Sequence, residues 1–492
     1  MDRPERCCRL VREQSLPGDL INKGGQVQVE IYYFRGALMD YVIIGNSAAA
    51  VGAVESIRTV DKNGSITIIS IEKEHTYSRP LIAHLVAGEV GEERMPYRPL
   101  EFYKSMKVEA RLGQKVTRVD FKAQKVILAG GGEVTYDRLL LTTGSKAVFP
   151  AVPGRELQGV TAFQTYTEAK AIMEMLRAGK TRAVVLGAGL IGLRAAYGLQ
   201  KGGADVTIIV RQRVLRRVLD AEGSAMVESI LKNSGLNVLT GRSVKEITGY
   251  AGQVTGVVLD NDESLSCNIV VLATGVAPDL ELAGDLQTNH GIVVNQYFQT
   301  NYSKVFAAGD VAETYDIPRG TPRVNANWSN AHEQGRIAGL NMAGKPAPYR
   351  GSLGMTSISF YGVPVVSLGV FDPEAEPESG YEVKIRKNPS ANIYQKLVFK
   401  ENRLKGAIFI GDLGYCGAVK DLISSQMLVG IIKDSILEER YQFYGFLRKK
   451  RQDKLEGKNI RWPESYISPQ KYHKSFNEET WTQRERNERP WW

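Results

Sequence analysis

The chain reads as an α/β protein built on two Rossmann-like dinucleotide-binding units, and a repeated pattern carries that reading. Gly45-Asn46-Ser47-Ala48-Ala49-Ala50 and Gly187-Ala188-Gly189-Leu190-Ile191-Gly192 are glycine-rich turns of one type, each following an apolar strand and opening an apolar helix. A second β-branched strand follows each helix, so strand, turn, helix and strand recur in the same register about one domain apart.

Residues 1–38 show no clear periodicity and read as an N-terminal extension; Met39, directly before the first strand, is a candidate first residue of translation. Tyr41-Val42-Ile43-Ile44 is a short run of the kind buried in parallel sheets, and it leads into small residues. Small residues let the backbone turn tightly and approach a pyrophosphate, while the helix N-terminus offers free N–H groups to the anion. Ser47 and Ala50 stand in place of two glycines; both are small, and the Ser47 hydroxyl is a donor for phosphate. The next strand, Ile66-Thr67-Ile68-Ile69-Ser70, ends near Glu72, where a carboxylate accepts hydrogen bonds from an adenosine ribose and excludes a free 2′-phosphate. From Lys107 to Leu141 short alternating runs, broken by Gly130-Gly131-Gly132, predict a β-meander ending in Leu139-Leu140-Leu141-Thr142-Thr143-Gly144.

The second unit repeats the plan with Ala183-Val184-Val185-Leu186, its glycine turn, and Val206-Thr207-Ile208-Ile209-Val210. No acid closes that last strand. Arg211, Arg213, Arg216 and Arg217 follow at once, and guanidinium groups there suit the 2′-phosphate of NADP. Val270-Val271-Leu272-Ala273-Thr274-Gly275, followed by Val276-Ala277-Pro278, matches the ending of the first unit.

At 492 residues the chain has room for two or three domains. Lys and Arg number 63 and Asp and Glu 54, a net charge of +9 that is modest for this length. With no aromatic-basic recognition module in the body, that excess favours acidic protein partners over nucleic acid. No run approaches the roughly 20 apolar residues of a membrane span. The four cysteines, Cys7, Cys8, Cys267 and Cys416, form no CxxC or CxxxxC pair, so neither a dithiol centre nor a cysteine-ligated metal is written here. Few cysteines and no signal-peptide core predict a reducing, cytoplasmic setting.

Further along stand Gly291-Ile292-Val293-Val294-Asn295, Gln299-Thr300 and Val305-Phe306-Ala307-Ala308-Gly309-Asp310. With these motifs in order, residues 39–430 resemble the two-dinucleotide-binding-domain flavoproteins of the pyridine nucleotide-disulfide oxidoreductase superfamily. The resemblance implies an FAD-binding domain in two parts, 39–146 and 280–348, an NAD(P)-binding domain at 147–279, and a C-terminal α+β interface domain at 349–430 that often pairs subunits into a homodimer. It places Asp310 on the flavin ribityl chain. Gly45, Ser47, Ala48, Ala49, Glu72, Arg79, Pro80, Val116, Thr143 and Gly144 are the other residues implied for FAD. For NADP or NAD they are Gly187, Gly189, Leu190, Ile191, Gly192, Arg211, Arg217 and Gly275.

Disulfide-reducing members carry a redox cysteine pair soon after the first glycine turn, and oxidase and peroxidase members a single cysteine a little later. This chain has no cysteine between Cys8 and Cys267. It is closer to the ferredoxin, rubredoxin and putidaredoxin reductases and to the flavin portion of NAD(P)H nitrite reductases. Tyr77-Ser78-Arg79-Pro80-Leu81 resembles their Tyr-x-Arg-Pro-x-Leu element, with the Leu one place early. Trp328-Ser329-Asn330-Ala331 resembles the segment that puts a Trp by the isoalloxazine. Where relatives pair a Lys with a Glu near the flavin's reactive nitrogen, this chain has His84 and Arg194, which cannot form that ion pair. If both point at the flavin, a positive site favours the anionic reduced form; the alternative is that one or both turn to solvent.

The expected activity is that of an FAD-dependent NAD(P)H oxidoreductase passing hydride to FAD and then electrons to an iron-sulfur or other redox protein. The alternatives are an NAD(P)H oxidase or a flavin-bearing scaffold subunit of a larger redox complex. Residues 431–492 join the basic run Arg448-Lys449-Lys450-Arg451 to aromatics including Trp462, Trp481, Trp491 and Trp492, and read as a docking tail for a partner subunit.

Overall fold

The computed structural model describes residues 38–430 apart from Lys180, with isolated positions beyond them, so the N-terminal extension before Leu38 and nearly all of the aromatic, basic tail lie outside the described residues. In chain order the first part holds β1 (Asp40–Ile44), α1 (Ala48–Val60), β2 (Ser65–Ser70), α2 (Ile82–Val86), α3 (Phe102–Ser105), β3 (Val108–Leu112), β4 (Val116–Asp120), β5 (Lys125–Leu128), β6 (Glu133–Thr135), β7 (Arg138–Leu141) and β8 (Ser145–Ala147). The second holds β9 (Val160–Thr161), α4 (Tyr166–Arg177), β10 (Arg182–Leu186), α5 (Leu190–Lys201), β11 (Asp205–Val210), α6 (Ala221–Asn233), β12 (Asn237–Thr240), β13 (Val244–Tyr250), β14 (Gln253–Leu259), β15 (Ser264–Ser266), β16 (Ile269–Leu272) and β17 (Val276–Pro278). The third holds β18 (Ile292–Val293), β19 (Val305–Ala307), β20 (Ala312–Asp316), β21 (Thr321–Arg323) and α7 (Trp328–Met342). The last holds β22 (Met355–Phe360), β23 (Val363–Gly369), β24 (Glu382–Asn388), β25 (Ile393–Lys400), β26 (Arg403–Ile410) and α8 (Cys416–Ser425).

The two glycine turns sit in equivalent places. Strands β19-β7-β1-β2-β3 form one parallel sheet and β12-β11-β10-β16-β9 another, with the strand that feeds the turn in the middle of each. Val42, Ile43, Val184 and Val185 are buried, as parallel sheets covered on both faces require. Each sheet carries a small antiparallel appendage, β4-β5-β6 or β13-β14-β15.

The meander expected over Lys107–Leu141 is therefore shorter than predicted. Only β4-β5-β6 is a meander, while β3 and β7 belong to the parallel sheet. β7 is a continuous Leu run buried in the sheet, whereas β3 is a half-exposed edge whose alternating sequence looks antiparallel.

The antiparallel sheet β22-β23-β26-β25-β24 lies between α8 and the second unit. Phe360, Tyr394, Ile408 and Ile410 join the same apolar core as Leu193, Leu219 and Val227, while Leu397, Phe399 and Phe409 pack with Val419 and Leu422 of α8. At the first of these contacts Asp220, which caps α6 through Gly223 N at 2.9 Å, accepts from Tyr394 Oη at 2.6 Å and Lys396 Nζ at 2.7 Å. Asp220 and Lys396 are both nearly fully buried. Lys396→Met leaves that carboxylate without its cation and is expected to destabilise the fold by about 3 kcal/mol, read as a lower denaturant midpoint. An unchanged midpoint would show that the pair contributes nothing net.

Candidate functional site

The two turns share one geometry. Gly45 N donates to Ile69 O and Gly187 N to Ile209 O, each at 2.8 Å, so each turn is tied to the strand beside it. Gly45 has φ +115° and Gly187 φ +108°. A Cβ on Gly45 would lie 2.2 Å from Thr142 O, and one on Gly187 2.3 Å from Ala273 O. Thr142 and Ala273 hold equivalent places, each donating its N–H across to the strand before the turn at 2.8 Å. Ser47 and Gly189 occupy the N-cap positions of α1 and α5 and supply no side-chain cap. The first N–H groups of both helices, from Ala48 and Ala49 and from Leu190 and Ile191, thus remain for a ligand. Open space lies in front of Gly144, Gly189 and Gly275. These features fit a pyrophosphate at each turn.

The matching endings after β7 and β16 cross between the units. β8 pairs antiparallel with β17; Asp279 N donates to Gly144 O at 2.9 Å and Val148 N to Gly275 O at 3.0 Å. The Thr143 hydroxyl donates to Asp279 O at 2.9 Å, so it serves this crossing, and Thr274 does the same towards Val148 O at 2.7 Å. Val116 is buried in the first core, which leaves only its backbone to face a ligand.

Glu72 stands two residues past β2, and both its oxygens already have donors: Tyr77 Oη at 2.6 Å and the Arg79 guanidinium. Each oxygen keeps a further lone pair for a ribose hydroxyl. Arg79, which leads with Pro80 into α2, also donates to Gln164 O at 2.7 Å. Asp310 follows β19 after Gly309, whose N–H donates to Gln334 Oε1 of α7 at 2.9 Å. Burial pushes the Asp310 carboxyl up from its ordinary value, opposed by Arg79 and a hydrogen bond from Ser145. Ser145 of β8 thus brings Asp310 to the crossing, where a polar chain of hydroxyls would find a donor and an acceptor.

His84 of α2 and Arg194 of α5 face each other. Arg194 Nη1 lies 2.9 Å from His84 Nε2. A guanidinium only donates, so Nε2 is the bare nitrogen and Nδ1–H donates to Glu89 Oε2 at 2.6 Å. Glu89 also accepts from the Tyr197 hydroxyl, and these two bonds hold its carboxyl below the usual range. Burial lowers the Arg194 pKa, yet a guanidinium stays charged. Neither expected alternative, both side chains aimed at the flavin or one or both turned to solvent, includes this contact between them. No sequence motif marks Glu89 or Tyr197; the one available signal is that Tyr197 stands three residues after Arg194 on α5, a spacing that puts both on one helix face.

Trp328 opens α7 behind an Asn327 cap and is half-buried, edge-on to Tyr97 with ring centroids 4.9 Å apart. In the arginine loop, Arg211, Arg216 and Arg217 are exposed, while Arg213 is bound to Asp372 at 2.6 Å.

Residues 39–335 match the family described as pyridine nucleotide-disulphide oxidoreductase, and residues 355–427 the rubredoxin NAD+ reductase C-terminal domain. The chain belongs to the pyridine nucleotide-disulphide oxidoreductase family. Members of that family bind FAD and use NAD(P)H. Among curated proteins the chain is 30% identical over 376 residues to nitrite reductase [NAD(P)H] of Bacillus subtilis (strain 168), covering 75% of this chain and 45% of that one. It is 30% identical over 389 residues to the NADH-dependent phenylglyoxylate dehydrogenase subunit epsilon of Aromatoleum evansii, covering 78% of this chain and 91% of that one. The solved structure of a NAD-dependent persulfide reductase from A. fulgidus superposes with a TM-score of 0.75 at 28% identity, over 80% of this chain and 79% of that one. The chain thus spans less than half of the nitrite reductase it matches but nearly the whole of the epsilon subunit.

Burial pushes the Cys267 thiol up to about 11 and raises that of Cys416, so neither is a ready thiolate near neutral pH. Among the described residues no helix is long and apolar enough to cross a membrane.

Proposed function

We propose that this chain takes hydride from NADPH at FAD and passes electrons to an iron-sulfur protein, as an electron-transfer reductase or the reductase subunit of a complex. The observation that carries the reading is the pair of equivalent glycine turns joined by the β8 and β17 crossing, with no cysteine in the flavin half to divert electrons into a thiol relay. Bound FAD would supply the switch between two-electron uptake and single-electron release. The chain's own part is to hold two dinucleotides with their reactive ends facing, Gly45, Ser47 and Asp310 on one and Gly187, Gly189, Arg211 and Arg217 on the other. The matched rubredoxin reductase C-terminal domain supports a small iron-sulfur acceptor, and the length shared with the epsilon subunit supports a place in a larger assembly. A homodimer through the C-terminal domain, a partner on the tail and a cytoplasmic setting complete the reading.

The test is anaerobic stopped-flow absorbance of the flavin band. NADPH is expected to bleach it rapidly and faster than NADH does. A flavin that neither coenzyme reduces would overturn the reductase reading and favour a scaffold.

A further inference from the structure

The loop from Arg211 to Asp220 that carries the exposed arginines is fixed at three places. Leu215, fully buried with φ +52°, donates its N–H to Ala188 O of the second glycine turn at 2.8 Å, so the loop lies directly against that turn. Arg213 Nη2 reaches Leu219 O at 3.1 Å and Asp372 Oδ2 at 2.6 Å. Asp220 ends the loop in its bonds to Tyr394 and Lys396. The second and third anchors both come from the C-terminal domain.

Asp372 is itself held. It stands two residues before Glu374 in a turn whose Glu376 binds Arg319, a residue of the part between β20 and β21, with hydrogen bonds of 2.6 to 3.1 Å. One short turn of the C-terminal domain therefore grips the first unit through Arg319 and the coenzyme loop through Arg213. Arg213 Nε is buried without a hydrogen-bond partner, so its charge is met by the Asp372 carboxylate and the Leu219 carbonyl. Arg211, Arg216 and Arg217 are exposed and have no ion-pair partner among the described residues.

We propose that Asp372 is a positioning residue for coenzyme choice: through Arg213 it fixes the loop that presents Arg211 and Arg217, so that the C-terminal domain sets the affinity for a 2′-phosphorylated coenzyme. The inference rests on the reading that those two arginines receive the 2′-phosphate. Two bidentate donors recognise a phosphate only when both are aimed, and a freed loop loses that alignment without losing its charge.

The experiment compares the full-length FAD-loaded wild type with Asp372→Asn, Asp372→Glu, Arg213→Met and Arg217→Ala in steady-state reduction of ferricyanide with NADPH and with NADH. Asp372→Asn and Arg213→Met are expected to raise KM for NADPH about tenfold, a loss of one well-aimed contact, with kcat and the NADH parameters nearly unchanged. Asp372→Glu is expected to restore most of the NADPH affinity. Hydrogen exchange of the loop amides, followed on the same proteins, is expected to quicken in Asp372→Asn and Arg213→Met. An Asp372→Asn protein that matches wild type, or that loses both coenzymes equally, overturns the inference even where Arg217→Ala is NADPH-selective. If Arg217→Ala shows no selective loss of NADPH, the 2′-phosphate reading falls and takes this inference with it.

Discussion

Gly45→Ala is expected to give protein without bound flavin, and Gly187→Ala protein that keeps its flavin and no longer takes up NAD(P)H. At φ near +110° an L side chain is strained, which alone costs about 1–2 kcal/mol. The larger effect is the contact, since a Cβ would sit 2.2 Å from Thr142 O at the first turn and 2.3 Å from Ala273 O at the second. Neither carbonyl can withdraw cheaply. Thr142 is tied by its N–H to Ile44 and Ala273 to Leu186, each at 2.8 Å, so a retreat would pull β7 or β16 off the central strand. The turn must move instead, and the helix N-terminus moves with it. Together the strain and the shift exceed about 3 kcal/mol, enough to weaken a dinucleotide held at that helix end by more than about 100-fold, so that it is lost on purification or dilution. Flavin absorbance per protein and NADPH titration of each variant check this. Full flavin in Gly45→Ala would show that the first turn does not hold FAD.

Both turns are legible in the amino-acid sequence, because what makes them is local. A β-branched strand, small residues and an apolar helix are set by short-range sterics, and β1, β2, β10 and β11 start one residue before the apolar runs that announce them. The crossing of β8 and β17 is only half legible: Thr143-Gly144 and Thr274-Gly275 mark a turn, but nothing local tells which strand lies opposite. The extent of the meander is hidden for the same reason, since parallel partnership of β3 and β7 is decided by β2, β1 and β19 far away in sequence. Long-range polar contacts are the least legible. Asp372 with Arg213 is 159 residues apart, and His84 with Arg194 110 apart, and no spacing rule connects such pairs.

Arg194→Met is expected to slow flavin reduction by roughly 10- to 100-fold and to lower the flavin midpoint potential, while Glu89→Gln raises that potential. Both effects are electrostatic. Arg194 lies in the first turns of α5, just past the second glycine turn, and meets α2, the helix that Arg79-Pro80 leads into from the side of Glu72. A cation there favours negative charge gained by the flavin, and partial burial keeps water from screening it. Glu89 acts oppositely, since it sets the His84 tautomer and offsets part of the Arg194 charge through it. The two variants must therefore move the potential in opposite directions. Acidification should act in the direction of Glu89→Gln, since it neutralises the carboxylate and leaves the guanidinium charged. The Glu89 carboxylate, whose pKa is depressed by its bonds from Tyr197 and His84, holds these partners above its ordinary range and releases them as pH falls through the lowered value. The cluster's share of the wild-type flavin potential should accordingly rise as pH falls through the lowered Glu89 value, and Glu89→Gln, whose amide does not titrate, should remove that rise. Spectroelectrochemistry and stopped-flow reduction across pH read both effects. If Arg194→Met and Glu89→Gln shift the potential the same way, the cluster acts through packing and its charges do not reach the flavin.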